Sequence, residues 1–123
     1  MRFRLVESDE GKYKKILDDV SKRYDLTGQE DGGKCKEVSK YIEEKYNIPQ
    51  VAVSIWDNGL EWSSINGHYA NLDEDRIIDF TIQQYSQDMK KDVNKIKVPN
   101  IAKYDKKTGF YISNLVTYSI EEE

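Results

Sequence analysis

The stretch Gly67-His68-Tyr69-Ala70-Asn71-Leu72-Asp73-Glu74-Asp75-Arg76-Ile77-Ile78-Asp79-Phe80-Thr81 holds the only histidine of the chain and decides how the rest is read. Apolar and polar residues alternate through His68–Leu72, and Ile77–Phe80 is apolar except for Asp79, so two short strands are expected. Between them, Asp73-Glu74-Asp75-Arg76 has the polarity and length of a hairpin turn. If Asp73 pairs with Arg76, Leu72 faces Ile77, Ala70 faces Asp79 and His68 faces Thr81. With side chains alternating at period two, His68, Ala70, Leu72, Ile77, Asp79 and Thr81 then share one sheet face. His68 and Asp79 become diagonal neighbours, roughly 7–8 Å apart at the backbone, within reach of an imidazole–carboxylate hydrogen bond. A three-residue turn would send one of them to the opposite face.

Upstream, Tyr13, Ile16, Leu17, Val20 and Tyr24 recur at helical spacing. They predict a packing helix over about 9–24, with Ser8 as its N-cap and Met1–Glu7 as a short strand or extended arm. A loop containing Gly28, Gly32 and Gly33 leads into a second helix, about 34–46, whose face carries Cys35, Val38, Ile42 and Tyr46. Cys35 falls in its first turn, where the helix dipole favours a thiolate and unpaired backbone N–H groups are available to an oxyanion. Asn47 and Pro49 end that helix.

Downstream, Val51–Trp56 and Leu60–Ile65 read as strands around an Asn58-Gly59 hairpin turn, with Asn66-Gly67 as a break or bulge before the opening stretch. Trp56 and Trp62 flank that turn and are expected to pack across it. Residues 82–95 carry a nearly helical pattern and are expected to form a helix or helical turns. Val98–Tyr104 and Phe110–Ile120 read as strands around a turn at 105–109. The expected fold class is α+β, with N-terminal helices packed on an antiparallel β-sheet and the cysteine helix against it.

With 123 residues, 37% of them hydrophobic and nine tyrosines, the chain is expected to be one domain over 1–123. A net charge of −4 argues against nucleic-acid binding, which needs a basic field. The single cysteine permits no internal disulfide. No apolar run approaches the ~20 residues of a membrane span, and Met1–Glu7 lacks a secretory h-region, so a cytoplasmic protein without membrane contact is expected. One histidine and one cysteine do not make the usual metal-ligand set, and Gly32-Gly33 lacks the spacing of a phosphate loop, so no metal or cofactor is expected.

The chemistry-bearing residues are Cys35 at a helix start, His68 on a strand and Asp79 on the next. A thiol needs a base to become a nucleophile near neutral pH, the helix N-terminus stabilises the thiolate, and a carboxylate orients the imidazole. Asp79 interrupts an apolar run, and burial there requires a partner.

Gly33-Lys34-Cys35, Gly67-His68-Tyr69-Ala70 and Ile78-Asp79-Phe80-Thr81, in that order, resemble the core of the transglutaminase-like, papain-like cysteine-enzyme superfamily. Phe80 stands where the family has proline, and Lys34 where many members carry an aromatic or small residue. The resemblance spans roughly residues 28–85. It implies a papain-like or transglutaminase-like core with Cys35 as nucleophile, His68 as general base and acid, and Asp79 as orienting carboxylate. Gln29, six residues before Cys35, matches the offset of the papain-like oxyanion-hole glutamine. The implied reaction passes through a thioester with an amide or acyl substrate on a protein or peptide, by hydrolysis, deamidation or transamidation. The pattern also suits a small phage or mobile-element protein that modifies a host target. The alternative is a non-catalytic binding or inhibitory module whose acidic, tyrosine-rich surface meets a protein partner. The oligomeric state is left open.

Overall fold

The computed structural model describes residues 2–27, 34–57 and 64–121, with side chains described from residue 11 onward except that of Asp57. Two helices, α1 (Arg2–Arg23) and α2 (Cys35–Tyr46), precede six strands: β1 (Gln50–Asp57), β2 (Ile65–Asp73), β3 (Arg76–Asp79), β4 (Asn100–Tyr104), β5 (Tyr111–Ile112) and β6 (Val116–Ile120). Short 3₁₀ helices at Ile82–Tyr85 and Val93–Lys95 bridge β3 to β4.

The expected helices-on-sheet papain-like α+β core is overturned by the strand order. All six strands pair antiparallel in sequence, and β6 returns to pair with β1, closing the sheet into a barrel. Val53 lies opposite Ile120 and Asp57 opposite Val116 at this seam. The short, twisted strands curl until the first and last meet, which removes both edges. An irregularity between Val53 and Ile55 assists the curl, and beside it Gly67 takes φ +74°, a backbone conformation that favours glycine. The Glu121 carboxylate accepts from the Gly67 N–H at 3.0 Å and so pins this bend to the residue after β6.

The alternation of the opening stretch sorts its residues between two cores. Ile77 and Ala70 point into the barrel with Val53, Ile55, Ala102, Val116 and Tyr118, capped by Ile82, Met89 and Ile96. Ile78 points outward and joins Phe80 beneath the helices, where Tyr13, Ile16 and Val20 of α1 meet Val38 and Ile42 of α2. Asn71, also outward, donates from its amide to the Ser39 and Ile48 carbonyls at 3.0 Å each, fastening α2 to β2. The hairpin has the expected register: Asp73 pairs with Arg76, Leu72 with Ile77 and Asn71 with Ile78. Its two turn residues are Glu74 and Asp75, with Glu74 at φ 58°.

Other boundaries move. α1 begins at Arg2, so residues 2–7 form no strand or arm, and Ser8 lies inside the helix rather than capping it. No proline or glycine interrupts residues 2–10, so the helical pattern extends backward unopposed. Residues 82–95 break into two single turns, and the strand expected over 110–120 divides at Ser113, whose hydroxyl accepts from the Leu115 and Val116 N–H groups. The Asn58-Gly59 turn and Trp62 fall outside the described residues, while Trp56 is exposed.

Candidate active site

α2 opens on Cys35. Lys34 precedes it without any side-chain cap, and as the first helical residue Cys35 carries a backbone N–H with no intrahelical acceptor. The first turn is bolted to β1. Ser39 Oγ donates to the Cys35 carbonyl at 2.6 Å, and Gln50 Nε2 donates to Ser39 Oγ at 2.8 Å and to the Lys36 carbonyl at 2.9 Å. At the C-terminus, Asn47 adopts a left-handed conformation and returns its N–H to the Glu43 carbonyl.

The even-length turn puts His68 and Asp79 on the inner face of the barrel, each with no exposed surface. His68 Nε2 lies 2.8 Å from Asp79 Oδ2; the carboxylate accepts, so Nε2 carries a proton. The other ring nitrogen, Nδ1, lies 3.1 Å from the Tyr85 hydroxyl. The Cys35 thiol lies beside the imidazole and the Tyr69 N–H, close enough for both to act on its pKa. Cys35, partly exposed at the helix start, thus meets His68 and, through it, Asp79. Gln29 lies outside the described residues, so nothing is said of its position.

Electrostatics oppose burial throughout. Burial is the largest influence on the Cys35 thiol and raises its pKa, but the hydrogen bond and charge of His68, with the Tyr69 N–H, bring it below its ordinary value. Burial likewise disfavours the imidazolium, yet the charge and hydrogen bond of Asp79, helped by Cys35, raise His68 to about 9. Asp79 is disfavoured as an anion by complete burial and still held below the usual carboxylate range by His68, Tyr118 and Thr81. All three shifts run in one direction, toward thiolate, imidazolium and carboxylate.

Three participants have no motif in the sequence. Tyr85, on the first 3₁₀ helix, places its hydroxyl 3.1 Å from Nδ1 and its ring edge-on to the imidazole at 5.1 Å. Burial and the nearby Cys35 and Asp79 charges push its pKa up, so it is a neutral hydroxyl near neutral pH. Tyr118 of β6 donates to Asp79 Oδ2 at 2.8 Å, and Asn100 of β4 donates to the Tyr118 hydroxyl at 2.9 Å. In the sequence these positions read only as periodic or strand residues; the pairing of β3 with β4 and the closure by β6 bring them in.

Among the described residues, no group of three or more histidine, cysteine, aspartate or glutamate side chains converges as metal ligands would, and no helix is long and apolar enough to cross a membrane. Comparison of the chain with protein-family models, curated proteins and solved structures found no match.

Proposed function

We propose that the chain is a cysteine enzyme of acyl transfer, with Cys35 as nucleophile, His68 as proton carrier and Asp79 as orienter. What supports the reading is one observation: a partly exposed thiol at a helix N-terminus adjoins the only histidine, whose imidazole is hydrogen-bonded to a buried carboxylate. The thiolate attacks the carbonyl carbon of an amide or related acyl group, and the C=O electron pair moves to oxygen. The Cys35 N–H, at the positive end of α2, is a donor suited to that oxyanion. Collapse expels the amine, which takes the proton from His68 Nδ1 and leaves a thioester on Cys35. An acceptor then attacks the thioester, losing its proton to Nδ1. Water as acceptor gives hydrolysis; a glutamine side chain as acyl donor gives deamidation with water and transamidation with an amine. Hydrolysis of a peptide or isopeptide is the first assignment because water needs no second binding site.

A second reading is a protein-binding or inhibitory module, favoured by the complete burial of His68, whose Nδ1 side is covered by the Tyr85 hydroxyl. The thiol decides between them. The rate of iodoacetamide alkylation of Cys35 is expected to show a midpoint below that of an ordinary cysteine, ~8.5, and to move upward in His68→Ala. An ordinary, unshifted profile in both proteins overturns the enzyme reading. Incubation with activated acyl probes is expected to leave a mass adduct on Cys35 of the wild type and far less on His68→Ala.

A further inference from the structure

We infer that Tyr118, oriented by Asn100, is a positioning residue that limits how strongly Asp79 holds the proton of His68. This inference rests on the proposed active site and extends it to β4 and β6, which carry none of its three reacting or orienting side chains. The geometry fixes each proton. Asn100 Nδ2 donates to the Tyr118 hydroxyl at 2.9 Å and to Ser113 Oγ at 3.2 Å. With an amide N–H occupying a lone pair of its oxygen, the Tyr118 hydroxyl directs its own hydrogen to Asp79 Oδ2 at 2.8 Å. The same Oδ2 accepts from His68 Nε2, also at 2.8 Å. Two donors therefore compete for one oxygen. The other oxygen, Oδ1, is held by the Thr81 N–H at 3.0 Å and its hydroxyl at 3.3 Å.

Competition has a predictable sign. A hydrogen bond from Tyr118 draws negative charge from Oδ2, and chained donors strengthen each other. Asn100 makes Tyr118 a better donor, and Tyr118 makes Asp79 a weaker partner for the imidazolium. His68 is faced by Asp79 on β3, Cys35 on α2 and Tyr85 on the first 3₁₀ helix, with Tyr118 reaching it through Asp79. Of these, Tyr118 alone acts on the proton affinity of His68 without touching the imidazole or the sulfur. Its position suits a proton carrier that must both take and release a proton: unrelieved, Asp79 would hold the imidazolium too firmly for the leaving group to be protonated.

The test uses the single histidine as its own reporter. Tyr118→Phe preserves ring volume and removes one hydroxyl. The NMR titration midpoint of His68 is expected to rise by about half to one unit, the scale of one ordinary net hydrogen bond, because the lost bond acts on His68 only through Asp79. Asn100→Ala, which weakens the donor without removing it, is expected to give a smaller upward shift, and serves alone if Tyr118→Phe does not fold. A merely structural Tyr118 would lower the melting temperature and leave the midpoint in place; that result, or a downward shift in either folded variant, overturns the inference. The titration is read whether or not Cys35 reacts. If the wild-type thiol proves ordinary, the enzyme reading fails by its own experiment while the Tyr118 effect on His68 is still decided.

Discussion

Asp79 and Asp19 are built on one plan and put in two settings. Each receives a tyrosine hydroxyl on Oδ2: Tyr118 at 2.8 Å for Asp79, and Tyr41 and Tyr46 at 2.7 and 2.6 Å for Asp19. Each Oδ2 also faces a basic group, His68 at 2.8 Å in one case and Lys45 at 2.8 Å in the other. Asp19 adds Arg23 on Oδ1 at 3.1 Å and lies at the α1–α2 seam with part of its side chain in solvent. Its basic partners, Lys45 and Arg23, stay charged near neutral pH, their pKa values raised by Asp19. Asp79 is sealed, and its only basic partner among the described residues, His68, titrates. Hydrogen-bond count therefore does not separate a fastener from a candidate working site. Solvent access and the titratability of the partner do.

The largest effect expected from breaking this contrast is Asp79→Ala. It leaves the His68 and Tyr118 donors buried without an acceptor, a loss of about 3–5 kcal/mol on the scale of broken buried pairs. Urea unfolding measures it. Asp79→Asn keeps the shape and should cost less, but it removes the charge that holds the imidazolium. The alkylation rate of Cys35 at neutral pH should then fall roughly tenfold, the effect of one unit of thiol pKa. An Asp79→Ala protein as stable as wild type would mean the buried pair contributes nothing to the fold.

Next in size is the pH dependence of stability. His68 is raised from 6.5 to about 9 in the folded protein, so its contribution is complete below the unfolded value and is lost as pH rises through the folded one. Asp79 is lowered from 3.8, so its contribution is present above that value and is lost as pH falls through the folded one. The lowered Cys35 thiol acts in the opposite sense to His68 on the alkaline side. Cys35→Ala removes that opposition. In this background, where Asp79 still raises His68, melting temperature should be highest between about pH 4 and 6.5 and decline above it. The decline should vanish when His68→Gln is added. A flat profile across the neutral-to-alkaline range in Cys35→Ala would show that Asp79 does not hold the imidazolium.

The two aspartates also mark how far the sequence can be read. Asp79 stood out because a carboxylate in an apolar strand needs a partner, and the even turn at Asp73–Arg76 sets its face; both signals are local. Cys35 at a helix start is equally local, but its meeting with His68 comes only when α2 packs on β2, where Asn71 donates to the Ser39 carbonyl. Tyr118 lies 39 residues from Asp79 and was invisible until β6 closed on β1. Alternation looks the same in an open sheet and in a barrel, since period two states which side is buried and not which edge pairs with which. That is why the hairpin is legible in the sequence and the barrel closure is not. Around Asp19, the i,i+4 spacing to Arg23 is legible, but Tyr41, Lys45 and Tyr46 arrive only when α2 packs on α1.

The smallest effect belongs to Asp19→Asn, and salt makes it diagnostic. The variant keeps an acceptor for the tyrosine hydroxyls and loses the attraction to Lys45 and Arg23, which are half in solvent. Exposed pairs contribute little and are screened, so the loss of stability should be smaller than that of Asp79→Asn. It should shrink further as added salt brings the screening length from about 10 Å at 0.1 M to about 3 Å at 1 M. The Asp79→Asn loss should hardly change over the same range, because ions cannot enter a sealed barrel. Urea unfolding of both variants at the two salt concentrations measures the contrast directly. Equal salt sensitivity at the two sites would mean that solvent reaches Asp79, and the distinction between fastener and candidate working site would then rest on the titration of His68 alone.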